Sequence, residues 1–452
     1  MGARPDLAVV GGVVVAPEGI HRADVLVRDG RIASVGPEGP ATAARVIEAD
    51  GLLVLPGMVD THVHLMDPGP TEREDFPTGT AAAVAAGVTT VVEHTHAHPV
   101  RTPEELAEKV RYLRGRSRVD FGLAAHAWPD RLDRIGETWR AGVTFFKVFT
   151  CTTHGVPGLA RDGLRRAFMA VAAAGGVCLV HGEDEDLTAR AEASLRAAGR
   201  TDGGVLPAWR SREAETAAVS MVVDLATRTG VRATVAHVSS PEVARLIAEG
   251  RERGALLAAE ACPQYLLLRE DEVEREGALR KFTPPARNRD DEDEAAMWAL
   301  LREGVLTHVA TDHAPSTREQ KLGGDIWDAP FGLPGLDTTL PLLLDAVAEG
   351  LLSWSDLALR YAETPARWYG LFPRKGVLAA GADADLVLVD PGAERVLRDE
   401  DVVSKAGWTP YAGRRVRGRV VRTFLRGREV ASDGSARETF AGDYLPGPGA
   451  RA

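Results

Sequence analysis

Cysteine is scarce in this chain. Only three occur, Cys151, Cys178 and Cys262, an odd number at wide spacings that excludes a disulfide framework and any CxxC metal or redox site. A reducing, cytoplasmic compartment fits that usage. Long apolar runs are missing as well, since no stretch approaches the ~18 apolar residues of a membrane span. The opening MGARPDLAVVGGVVVAP breaks its apolar residues with Asp6 and glycines, unlike a signal peptide. Nor is there an excess of positive charge. The formal net charge is -11 over 452 residues and is not gathered in a tail, which argues against nucleic-acid binding. The one basic run, Arg414, Arg415, Arg417, Arg419 and Arg422, reads as the solvated face of a strand.

What is present describes an ordinary folded protein. Apolar residues make up 44% and charged residues 26%, a balance that suits a globular chain with a sizeable core. Residues 5 to 56 hold short runs, LAVVGGVVVA, ADVLVRDGRIASVG and RVIEADGLLVLPG, separated by glycine turns, which predict a meander of strands. The same texture returns in GADADLVLVDP and RGRVVRTFLRGREVASDG near the end. The two stretches predict one small β module assembled from both termini, residues 1–56 and 373–452.

Between them, residues 57–372 alternate apolar runs with helical stretches such as PEELAEKVRYLRGR, RDGLRRAFMAVAAAG and REAETAAVSMVVDLATRTG. Such alternation means a parallel sheet with crossover helices. The apolar runs are LLVLPGMVDTHVH, VTTVVEH, DFGLAAHA, VTFFKVF, VCLVHGE, RATVAHVS, ALLAAEA and LTHVATDHA. Eight of them point to a (β/α)8 barrel. Their C-terminal ends carry His62 and His64, then His94, His126, Lys147, His181, His237, Glu260 and Asp312, and a closed barrel gathers those ends around one mouth.

Lys147 is the oddest of these, because FFKVF predicts a strand buried on both faces and a buried, unpaired ammonium is costly. His62 and His64 are two apart on a strand and share a face, so both can reach one ion. With His181, His237 and Asp312 they make five nitrogen or oxygen donors, a set suited to zinc and similar metals.

The chain resembles the cyclic amidohydrolases: dihydropyrimidinases and hydantoinases, allantoinases and dihydroorotases. The stretches that carry the likeness are PGMVDTHVHLMDPG, AAGVTTVVEH, FFKVF, LVHGED, AHVSS, CPQYLLL, FTPPAR, ATDHAP, FGLPGLDTTLPLLL and GADADLVLVD with SKAGWTPYAGRRVRG. They run through almost the whole chain in order.

The resemblance implies a (β/α)8 TIM barrel with a β-sandwich built from both termini, and two divalent metal ions, zinc by type. His62, His64 and Asp312 would hold the first ion, His181 and His237 the second, and a carboxylated Lys147 would bridge them. A hydroxide held between the ions would attack the carbonyl of a small cyclic amide or ureide. Asp312 would act as general acid and base. Relatives are commonly homotetramers, so an oligomer is expected.

Substrate contacts are less regular. Met66 stands where dihydroorotases have arginine and allantoinases tend to have asparagine, which argues against dihydroorotate. Thr152 replaces the tyrosine of hydantoinases, Thr283 their serine, and Phe331 aligns with their asparagine. His154, with His94, His96 and His98, belongs to loops individual to this chain, and these residues are candidates for an unusual specificity. Two alternatives stand beside ring opening of the hydantoinase or allantoinase type. One is hydrolysis of a less usual cyclic or linear amide; the other is a non-catalytic oligomeric scaffold.

Overall fold

The computed structural model describes residues 4–37 and 43–451. Eight parallel strands form a barrel: Met58–Val63, Val88–Glu93, Asp120–Leu123 continued by Ala125–His126, Phe146–Phe149, Val177–His181, Arg232–Val235, Leu257–Ala261 and His308–Val309. Each pairs with the next. The ring closes through a parallel bridge between Val63 and His313, where the His64 N–H donates to the His313 carbonyl at 2.7 Å. Almost every strand residue is buried, as expected where helices cover the outside and side chains fill the inside.

Local chemistry sets the helix ends. Asp75, Thr102, Asp184, Ser211 and Asp290 cap the helices that follow them by accepting a backbone N–H, each cap worth about 1 kcal/mol. Gly142, Gly230 and Gly304 end helices in the left-handed conformation. The three quoted helical stretches fall on Pro103–Leu113, Arg161–Ala173 and Arg212–Thr229, and a further helix covers Asp291–Glu303.

The first apolar run is not one strand. It divides at Gly57 into Leu53–Pro56, which belongs to the sandwich, and Met58–Val63, which opens the barrel. A side chain at Gly57 would meet Thr89 Oγ1 at 2.1 Å, so only glycine lets the backbone pass this close. The third run also changes partner midway: Ala124 N–H donates to the Glu93 carbonyl and Ala125 N–H to that of Phe145.

The sandwich has two sheets. The smaller runs Arg31–Gly36, Asp24–Arg28, Leu7–Val10, Arg45–Glu48. The larger runs Ser435–Ala436, Arg428–Ser432, Arg415–Leu425, Leu386–Val396, Leu53–Pro56, Val13–Ala16, Gly19–Arg22, so its strands come from both ends of the chain. Val9, Val25, Ile32, Val54, Leu388 and Phe424 fill the space between them. A simple meander is thus not what forms. Leu7–Val10 pairs in parallel with Arg45–Glu48, and Val13–Ala16 with Leu53–Pro56, because the N-terminal segment divides between the sheets. Leu7–Val10, Asp24–Arg28, Arg31–Gly36 and Arg45–Glu48 join the smaller, and Val13–Ala16, Gly19–Arg22 and Leu53–Pro56 the larger.

The basic run lies along Arg415–Leu425 with acidic partners: Arg415 with Glu394, Arg417 with Asp345, Arg419 with Asp433 and Arg422 with Glu429. Sandwich and barrel meet at Lys375, fully buried, whose ammonium contacts Asp120 of the barrel at 2.6 Å, Asp383 at 2.9 Å and Asp385 at 2.7 Å. Among the described residues no helix is long and apolar enough to cross a membrane. All three cysteines are free and buried.

Candidate metal centre

The strand ends converge as barrel closure requires. His62, His64, Lys147, His181, His237 and Asp312 all line one cavity of about 160 Å³. A cavity of this size takes one small ring, since about 150 Å³ is enough for benzene.

On one side of it, Asp312 Oδ1 lies 3.1 Å from His62 Nε2 and 3.4 Å from His64 Nε2. Lys147 Nζ is 3.3 Å from the same His62 nitrogen. On the other, His181 Nδ1 and His237 Nε2 are 3.0 Å apart. Donors about 2.0–2.2 Å from a common ion stand roughly 3 to 3.5 Å from one another, so these separations fit metal ligation. His64 Nδ1 and His237 Nδ1 are buried without a partner.

Electrostatics point the same way. Burial pulls the Lys147 ammonium down to about 8 although Asp312 and Glu260 oppose the shift. Burial alone would raise the Asp312 carboxyl, yet His62 and His64 hold it well below the usual carboxylate range. Burial, with His181 beside it, keeps His237 neutral far below its ordinary value. Burial thus shifts Lys147 and His237 toward the neutral forms, and the histidines shift Asp312 toward the ionised form, that bind cations. His62 is shifted the other way: burial would lower it, but Glu260 and Asp312 outweigh burial and raise it above its ordinary value.

The backbone here is strained. Met66, His154, His237 and Asp312 have φ of 57°, 54°, 38° and 50°, a left-handed region that non-glycine residues seldom enter. All four line the cavity, and strain of this kind gathers at functional sites.

Two carboxylates hold these histidines in place. Glu260 Oε1 accepts from His62 Nδ1 at 2.7 Å and from the His237 N–H at 3.0 Å. Glu183 Oε2 lies 2.9 Å from His181 Nε2 and also receives Arg210 at 2.9 Å and Thr283 Oγ1 at 2.7 Å, while Arg287 reaches its other oxygen at 3.0 Å. Donor atoms of Cys151, His181 and Glu183 lie within 4.8 Å of one another. That trio is an ion-pair hub, because Glu183 is committed to two arginines and burial pushes the Cys151 thiol up to about 12. In the sequence Glu260 stands at a strand end with nothing to mark its role, and the one signal of Glu183 is that an acid two residues after His181 repeats the HxH spacing.

The other expected contacts divide. Met66, His154, Thr283 and Phe331 line the cavity. The His154 ring stacks on His96 at 5.1 Å and meets Phe331 edge-on at 5.3 Å. Thr152 is not brought there: it is exposed, its N–H is taken by the Glu185 carboxylate and its hydroxyl accepts from Gly158 at 3.2 Å. His96 lines the cavity and shares a 2.9 Å contact with His126. His94 sits behind, its ring 4.6 Å from His62 and 4.5 Å from His64, with neither nitrogen partnered. One nitrogen from each of these three rings falls within 4.8 Å of the others. His98 is exposed and does not line the cavity. Arg73, unnoticed in the sequence, does.

Residues 53–430 match the model of the amidohydrolase family. An allantoinase of Rubrobacter xylanophilus is 39% identical over 446 residues, 97% of each chain. A dihydroorotase of Halobacterium salinarum is 37% identical over 400 residues, covering 86% of this chain and 91% of that one. Among solved structures, an L-hydantoinase (dihydropyrimidinase) from Arthrobacter aurescens superposes with a TM-score of 0.93 at 32% identity, covering 98% of this chain and 100% of that one.

Proposed function

Because the chain belongs to the amidohydrolase family, we propose that it is a metal-dependent hydrolase that opens a cyclic amide or ureide, of the hydantoinase and dihydropyrimidinase or the allantoinase type. The observation that carries this reading is the convergence of four histidines, Lys147 and Asp312 on one small cavity. Relatives named for ring substrates match along nearly their whole length.

In this reading His62, His64 and Asp312 would hold one ion, His181 and His237 a second, and Lys147, carboxylated on Nζ, would serve both. Two divalent ions, zinc by donor type, would supply a water acidified to near neutral pH and polarisation of the scissile carbonyl. Lys147 suits the bridging role because burial favours its neutral amine, the form that reacts with carbon dioxide, and the resulting anion relieves the cost of a buried cation.

Glu260 fixes a proton of His62 on Nδ1 and turns Nε2 toward Asp312 and Lys147. Asp312, held ionised, accepts the proton of the attacking water and passes it to the departing ring nitrogen. Water is thereby added across the C–N bond, and the product is a carbamoyl- or ureido-type acid. His96, His154 and Phe331 wall the cavity and limit the ring that enters.

The test is a hydrolysis screen of the metal-loaded protein against hydantoins, dihydropyrimidines, allantoin, dihydroorotate and cyclic imides. Opening of at least one ring, abolished by chelation and restored by metal, is expected. No turnover across the panel would reject the proposal in favour of a linear or less usual amide.

A further inference from the structure

Arg73 is a cation without a counter-ion on the cavity wall. It sits between the first barrel strand and the helix Phe76–Ala85, beside Met66, Pro70, Ala314 and Phe331. Its Nε donates to the Pro315 carbonyl at 3.0 Å and to Ser316 Oγ at 2.9 Å, and its Nη2 to the Phe331 carbonyl at 3.0 Å. Every one of these acceptors is neutral. Among the described residues no carboxylate comes within 4.0 Å of the guanidinium, and Nη1 is left with no protein acceptor.

The contrast with its neighbours is chemical. Arg210 and Arg287, the other guanidiniums beside the centre, are both paired with Glu183, and Arg287 also with Glu215 at 2.5 Å. A chain of net charge -11 has no shortage of acids to place opposite Arg73. Among the described residues the lining holds one, Asp312, and His62 and His64 occupy it. Burial weakens the Arg73 cation, drawing its pKa down to about 10, so an anion that reached it would meet a poorly solvated partner. Three hydrogen bonds already fix the plane of the fork, and such preorganisation lowers the cost of binding.

We propose that Arg73 anchors a carboxylate carried by the ring substrate, so that the enzyme's substrates are cyclic amides or ureides with an anionic side group. This rests on the ring-opening reading and narrows it. It also moves the recognition of charge away from position 66, where Met66 offers none, to a guanidinium reaching the same cavity from seven residues further along.

The test compares matched pairs, dihydroorotate with dihydrouracil and hydantoin-5-acetate with hydantoin-5-acetamide. The quantity read is the ratio of kcat/KM for the acid to that for its uncharged partner. A charge-assisted hydrogen bond makes that ratio about tenfold or more in the natural protein. Arg73→Met should bring the ratio close to one, chiefly through KM for the acid, and Arg73→Lys should restore part of it. A ratio near one in the natural protein, or one that survives in Arg73→Met, overturns the proposal and leaves Arg73 as a clasp on Phe331. Calorimetry of the same compounds with the metal-loaded protein separates the two claims. Acid-selective binding lost in Arg73→Met supports the anchor even where no ring opens, and that silence in turnover then counts against the ring-opening reading alone. Equal binding of acid and amide counts against the anchor.

Discussion

Replacing Glu260 by glutamine tests whether the carboxylate behind the centre sets its affinity for metal. One oxygen of Glu260 touches both proposed halves, at 2.7 Å from His62 Nδ1 and 3.0 Å from the His237 N–H. Burial would raise its carboxyl, yet His62 more than offsets this and holds it below its ordinary value, so the acceptor is anionic. A hydrogen bond to a charged acceptor is worth about 1.5–3 kcal/mol and a neutral one about 0.5–1.5. The isosteric amide therefore loses about 1–1.5 kcal/mol at His62, roughly tenfold in affinity. The shared contact to His237 carries the effect toward the ~100-fold limit seen when such outer partners are changed. Chelator competition on the metal-loaded protein reads the two ions separately, with circular dichroism confirming the fold. Both should loosen, the one assigned to His62 more. A folded Glu260→Gln protein that keeps both ions with unchanged dissociation constants would refute the reasoning.

Asp312→Asn keeps an oxygen toward His62 and His64 but cannot accept a proton; turnover on any substrate found should fall by about 10²-fold or more while metal analysis still finds bound ion. Near-normal kcat would remove the acid–base role. Lys375→Met leaves Asp120, Asp383 and Asp385 together at the buried seam and should cost about 3–5 kcal/mol, seen as a lower urea midpoint; an unchanged midpoint would show the seam is not held by this cation. Glu183 is raised by burial but pulled well below its ordinary value by Arg210, His181 and Arg287. A depressed carboxyl stabilises the fold above its unfolded pKa and loses that contribution as pH falls through the folded one. The urea midpoint of the metal-free protein should therefore drop as pH is lowered below the ordinary glutamate value of about 4.3, more steeply than in Glu183→Gln. Parallel acid limbs would contradict the assignment.

Much of the cavity was legible because its residues sit at the ends of periodic apolar runs. Periodicity places His62, His64, Lys147, His181, His237 and Asp312 at one mouth once the runs are taken as successive barrel strands. The oddity of Lys147 inside FFKVF was itself informative. What could not be read depends on contacts with no local period. Arg210 and Arg287 reach Glu183 from separate segments, and Arg73 is aimed by carbonyls of residues 315 and 331. Thr152, expected from the resemblance at a substrate contact, has its backbone tied to Glu185, which turns it to solvent. The break at Gly57 and the parallel pairings of the N-terminal strands are likewise decided by which sheet each strand joins. Alternation along the chain does not record that choice.

The pairing of Leu53–Pro56 with Leu386–Val396 bears on how the chain is made. Leu53–Pro56 is buried throughout and leaves the ribosome early, while its antiparallel partner follows only after the whole barrel. During synthesis, one edge of an apolar strand stays without its hydrogen-bonding neighbour while eight barrel strands emerge. Closing so long a loop is slow, and an unpaired edge invites pairing with other chains. Aggregation during expression should thus fall most heavily on chains truncated before residue 386, whose barrel is complete and whose sandwich is not.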